Sequence, residues 1–256
     1  MSAKGATPTV RLDRLLANLG YGSRKEAQHI VDAGLAVLDG VRLRNSGLRV
    51  PIGPGLPGRL TIDGAPIDPP PPLTLILHKP LGVVCSHREA GRSIYELLPG
   101  RWRRRDPVLS TIGRLDAETT GLLLITDDGA LLHRVISPRN HVAKRYLVTL
   151  ERPLRGDEAS LFAAGALMLE GETAPLSPAF LAPLTAESAY LTITEGRYHQ
   201  VRRMFAAVGN HVVTLHRDRI GGLDLPINLP AGRFRVLAAH EQAALFGSQE
   251  DAAGQP

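Results

Sequence analysis

The chain has 256 residues, 43% hydrophobic and only 4% aromatic, with a net charge of +5 and an isoelectric point near 9.7. That length accommodates about one to two domains with a Leu, Val, Ile and Ala core, and the charge favours a polyanionic partner such as nucleic acid. A single cysteine, Cys85, excludes a disulfide framework, and no C-x-x-C or H-E-x-x-H spacing suggests a metal. No apolar run reaches the ~18 residues of a membrane span. The first ten residues lack a secretory signal, so a soluble cytoplasmic protein is expected. Arginine outnumbers lysine 26 to 4. The guanidinium fork suits phosphate, although the codon bias of a GC-rich genome gives the same ratio.

Residues 1–9 are small and polar and are expected to be disordered. From Val10, Leu12, Leu15, Leu16 and Leu19 fall on one face of a short helix that stops at Gly20. Ser23-Arg24-Lys25-Glu26 has the spacing of a capping box, in which the serine hydroxyl accepts from the glutamate N–H and the glutamate reaches back. It predicts a second helix with Ala27, Ile30 and Val31 inward, Arg24, Lys25 and Gln28 outward, and Gly34 at its end. Leu35–Leu38, Asp39-Gly40 and Val41–Leu43 read as a hairpin with a tight turn. Residues 11–49 carry seven basic and four acidic side chains. Either an ordinary solvated helix face or an RNA-binding face fits that balance.

Four prolines, residues 69–72, predict a stiff extended linker and a domain boundary after residue 68. Beyond it, strand-like runs at Leu73–Leu77, Leu122–Thr126, Tyr146–Leu150, Tyr190–Thr194, His211–Leu215 and Phe234–Leu237 alternate with helical stretches at Ala130–Ile136, Asp157–Ala164 and Tyr198–Val208. The pattern predicts an α+β domain over residues 73–246 around a mainly antiparallel sheet. Residues 247–256 are expected to be a disordered tail.

Gly113-Arg114-Leu115-Asp116-Ala117-Glu118-Thr119-Thr120-Gly121 sets one carboxylate beside an arginine in a glycine-bounded loop, just before an apolar strand. Taken alone, such an aspartate is most often a turn former or cap. Three further segments change its meaning: Leu77-His78-Lys79-Pro80-Leu81-Gly82-Val83, Lys144-Arg145-Tyr146, and Glu195-Gly196-Arg197-Tyr198-His199-Gln200-Val201-Arg202-Arg203-Met204. In this order and spacing, behind two helices and a D-G hairpin, they resemble the RNA pseudouridine synthases. The match is to the branch that modifies ribosomal RNA and carries an N-terminal S4 RNA-binding domain, here residues 10–68.

The resemblance implies an enzyme that isomerises a uridine in ribosomal RNA without a cofactor. Asp116 would be its nucleophile or base, Tyr146 would contact the target uracil, and Arg202 would pair with Asp116 and keep it ionised. It implies RNA contacts at Arg24, Lys25, Arg114, Lys144, Arg197, His199 and Arg203. Arg203 is turned about 100° from Arg202 on a helix. The wording of residues 198–222 resembles members acting on the small subunit, so the expected partner is 16S ribosomal RNA or an assembly intermediate, bound by a monomer. Action on large-subunit or transfer RNA, and a non-catalytic RNA-binding assembly factor, are the alternatives. The Arg101–Arg105 cluster lies outside the resemblance.

Overall fold

A computed structural model describes residues 8–86 and 91–247. The expected disorder of residues 1–7 and 248–256 lies outside the described residues. The chain divides into two compact units.

The first unit begins with β1 (Thr9–Arg11), so Thr9, expected in a disordered terminus, instead pairs with Pro51. Then come α1 (Leu12–Asn18), α2 (Arg24–Asp32), β2 (Ala36–Leu38), β3 (Val41–Arg42), β4 (Arg49–Pro51), β5 (Leu60–Ile62) and β6 (Ala65–Pro66). The leucine stripe of α1 packs against Ala27 and Val31 of α2, and all six side chains are essentially inaccessible to water. The capping box forms as expected: Ser23 Oγ accepts from Glu26 N at 3.3 Å, and Glu26 Oε2 accepts from Ser23 N at 2.7 Å. The hairpin turn places Asp39 and Gly40 at φ of 50° and 80°, the geometry that an Asp-Gly pair favours. Asp13 is buried on α1 and accepts from Arg11, Arg14 N, Gln28 and Arg24. The Arg11 hydrogen bond holds its carboxyl far below the usual carboxylate range.

The boundary differs from a single cut at residues 69–72. Leu98–Ser110 and Thr126–Asp128 belong to the first unit, and the proline passage is packed rather than a free spacer. Pro70 is buried, and Pro69 O accepts from Arg105 Nη2 at 2.9 Å. The same Nη2 donates to Asp127 Oδ2 at 3.1 Å, and Asp127 Oδ1 accepts from Leu73 N at 2.6 Å. Arg101 makes a two-pronged bond to Asp68 and lies over the Tyr21 ring. These two members of the arginine cluster therefore hold the first unit together. Arg105 and Asp127 are fully buried, and removing one partner of such a pair strands the other's charge. Arg105→Met should lower stability by about 3 kcal/mol in urea unfolding; a loss under about 0.5 kcal/mol would show that the pair contributes nothing.

The second unit is built on a nine-stranded sheet. Its strands are β7 (Thr74–Lys79), β8 (Ser110–Ile112), β9 (Thr119–Thr126), β10 (Lys144–Leu150), β11 (Phe180–Thr185), β12 (Ser188–Ile193), β13 (Val212–Ile220), β14 (Leu223–Asp224) and β15 (Phe234–Val236). Its helices are α3 (Gly129–Ile136), α4 (Glu158–Ala163), α5 (Gln200–Ala207) and α6 (Ala239–Ala244). The strand order is β11-β12-β10-β13-β9-β7-β15, with β14 beside β13 and β8 beside β9. Pairing is antiparallel from β11 through β13, whereas β13 and β9 run parallel. Leu122 and Leu124 of β9 pack with Ile76, Leu131 and Val135 in one buried cluster.

Two differences from the sequence pattern matter for the site. Strand β13 does not stop at Leu215 but runs on through His216–Ile220. The helix expected from Tyr198 begins only at Gln200, because His199 has the left-handed conformation, φ 48°.

Candidate active site

Asp116 sits in the loop between β8 and β9, which opens at Gly113 with φ +71°. Positive φ is costly for residues with a Cβ, so glycine sets the loop's first bend. Leu115 points inward, 5% exposed, and its neighbour Asp116 faces outward, 38% exposed at the side chain. A 3.0 Å bond from Thr119 N to Asp116 O closes a turn around the carboxylate.

The loop is fastened from beneath by the Lys79-Pro80-Leu81-Gly82 segment. Lys79 is completely buried, and its Nζ donates to Thr119 O at 2.8 Å, Pro80 O at 3.1 Å and Ala117 O at 3.3 Å. Gly82 N also donates to Ala117 O, at 2.8 Å. An ammonium has three donors and no acceptor, so three carbonyls satisfy it fully. Burial still pushes its pKa below that of an ordinary lysine. Nothing in the sequence assigns Lys79 itself a task, because two of its three partners are the backbone oxygens of Ala117 and Thr119, about forty residues away.

The carboxylate faces a cavity of about 490 Å³, within the range of small-molecule sites. Of the expected residues, Arg114, Asp116, Lys144, Tyr146, Arg197, His199 and Arg202 all line it. Arg24 and Lys25 are exposed on α2 of the first unit. Tyr146 stands on β10, 8% exposed.

The charge pairing differs from expectation. Arg202 does not hold Asp116; its guanidinium donates to Val212 O at 2.9 Å and Glu118 O at 3.2 Å. The group beside Asp116 is His199, with Nε2 3.3 Å from Oδ1. The left-handed turn at His199 directs its imidazole there instead of along the helix, and the 76% exposed Tyr198 stacks on it at 3.9 Å. Arg197 and Arg203, expected to meet RNA, are committed elsewhere: both bind Glu172, Arg197 also donates to Ala174 O and Pro175 O, and Arg203 to Glu170 O. They fasten the 170–175 loop. The acceptors lie some twenty to thirty residues upstream, beyond any helix-face argument.

Arg217 is the wall residue that sequence reasoning missed. It lies opposite Tyr146 across the β10–β13 pair, 3% exposed, with Nε on Leu122 O at 2.9 Å and Nη1 on the Tyr146 hydroxyl at 3.4 Å. Strand β9 approaches β13 so closely that a Cβ at Gly121 would overlap the Arg217 carbonyl; the Thr120-Gly121 step thus serves the arginine's strand. Burial and the charge of Arg217 together lower the Lys144 pKa to about 8, against an ordinary 10.5. Between about pH 8 and 10.5 the unfolded chain therefore binds the extra proton, so stability should rise with pH in that window. Below about 8 the desolvation penalty is fully present. Denaturant midpoints from pH 7 to 10.5 should show the wild type gaining on Lys144→Met as pH rises; parallel profiles would mean that the amine titrates normally.

A carboxylate on a clamped loop, a tyrosine ring and several cationic side chains thus share one cavity. The chain belongs to the RNA pseudouridylate synthase family, whose model matches residues 74–207, behind an S4 domain matching residues 10–53. It is 42% identical to the ribosomal small subunit pseudouridine synthase A of Escherichia coli strain K12, over 92% of this chain and all of that protein. The protein of the same name from Vibrio cholerae is 39% identical over 93% of this chain and 100% of its own length. A crystal structure of a pseudouridylate synthase superposes with a TM-score of 0.64 at 35% identity, covering 92% of this chain and 99% of that one.

Proposed function

We propose that this protein isomerises a uridine of small-subunit ribosomal RNA, free or in an assembly intermediate. It acts in the cytoplasm as a monomer without a cofactor, and Asp116 is the reacting carboxylate. The observation that carries this reading is the clamped loop, which displays Asp116 into a cavity shared with Tyr146. The relatives named for the small subunit support the target.

In the reaction the C1′–N1 bond breaks and its electron pair stays with the uracil. Asp116 either bonds to C1′ or takes a C2′ proton. The base turns, C5 bonds to C1′, and the bond or proton is returned. Loss of the C5 proton and protonation of N1 complete an isomerisation with no net exchange.

Tyr146 packs against the base as it turns. Arg202 acts through the loop, holding Glu118, and Arg114 occupies the space left by the extruded nucleotide. Extrusion costs a few kcal/mol, offset by basic contacts that include Arg24 and Lys25. Small-subunit RNA from a strain lacking the gene should lose one pseudouridine, restored by the purified protein. Loss from large-subunit or transfer RNA would overturn the target. Binding without isomerisation would favour an assembly factor.

A further inference from the structure

We propose that Arg217 binds a carbonyl oxygen of the target uracil and stabilises the negative charge that the base gains as its glycosidic bond breaks. This deepens the reading of the same site and rests on it.

Arg217 is buried, permanently charged and part of the cavity wall. Two of its nitrogens are used, but Nη2 is buried and has no hydrogen-bond partner among the described residues. The same holds for Thr119 Oγ1 and Arg202 Nε, on two further residues of the wall. Buried polar groups are paired in the great majority of proteins, and a stranded donor on a charged group is costly. Three such atoms on residues lining one cavity point to a polar ligand that completes them.

The chemistry selects the ligand atom. On heterolysis of C1′–N1 the electron pair enters the ring and spreads over N1, O2 and O4. A guanidinium donor fixed before the reaction then strengthens its bond as that charge appears, which accelerates the step. Tyr146 places the ring beside this donor, because its hydroxyl already rests on Nη1 and its face lies 5.9 Å from the guanidinium carbon. Asp116 is on the opposite side of the chemistry: it answers the positive charge at the sugar while Arg217 answers the negative charge on the base.

The test uses the full chain and small-subunit RNA carrying uridine, 2-thiouridine or 4-thiouridine at the mapped position. Sulfur is the poorer hydrogen-bond acceptor. Single-turnover rates at saturating RNA, RNA affinity and thermal midpoints are measured for wild type, Arg217→Gln and Arg217→Lys. Arg217→Gln should lose on the order of 10²–10³-fold in rate with RNA affinity within about threefold, because phosphate contacts dominate binding. One thio substitution should slow the wild type yet change the variant's rate little, since the contact it weakens is already gone.

A rate within threefold of wild type overturns the proposal. So do equal thio effects in wild type and variant, which would leave Arg217 a purely structural role on Leu122 O. If Arg217→Gln is unfolded, Arg217→Lys keeps the charge and the same two comparisons decide. The wild type is the separate control: its failure to isomerise uridine would sink the functional reading, whereas an active wild type with an equally active variant sinks only the role of Arg217.

Discussion

Asp116→Asn should abolish isomerisation while leaving a folded, RNA-binding protein. The carboxylate is 38% exposed and its partner is the half-exposed His199, so the amide should change stability by less than about 0.5 kcal/mol. RNA affinity should stay within about threefold, because basic side chains meeting phosphates supply most of it. Chemistry should fall by about 10⁴-fold or more, the scale on which removal of a reacting group is felt. Single-turnover conversion at saturating RNA separates the two effects. Turnover near the wild-type rate would end the assignment of Asp116.

Lys79→Met should be nearly as damaging by a different route. The substitution keeps the length and apolar stem of the side chain but strips three carbonyls of their donor, that of Thr119 buried and those of Pro80 and Ala117 part-buried. Stranded polar groups cost ~1–3 kcal/mol each. Gly82 N still serves Ala117 O, so a total of about 3–5 kcal/mol is expected. The loop carrying Asp116 should then wander, and misplacement by about 1 Å costs ~10²-fold in rate. Urea unfolding and single-turnover kinetics should both register the change, and Lys79→Arg should not rescue because its fork is too wide for the cage. Full activity at full stability in Lys79→Met would show that the loop holds itself.

The contrast between these residues explains what the sequence made legible. Asp116 stands out because its signal is local: glycines on both sides, an arginine two residues before it and an apolar strand after it. The leucine stripe and the serine-to-glutamate box of the first unit are local in the same way, and both form as read. Lys79 and Arg217 answer distant backbone oxygens, which no residue pattern announces. Charge also disguised β13: the apolar run that reads as a strand stops at Leu215, although the strand continues through His216-Arg217-Asp218-Arg219 and the sheet buries Arg217 within it. Arg202 was expected on Asp116 from the family resemblance alone; the left-handed backbone at His199 gives that place to the imidazole.

The interleaving of the first unit with residues 98–110 and 126–128 has a consequence in time. A ribosome delivers the chain from its N-terminus at ~5–20 residues per second. The helices and hairpin emerge early, but the buried partners Arg105 and Asp127 follow only as synthesis approaches residue 128. Counted from residue 73, completion of the first unit lags by roughly 3–11 seconds at that speed. During that interval Arg105 lacks its carboxylate partner, so chaperone contact should be greatest when translation has passed the prolines and has not yet reached residue 128.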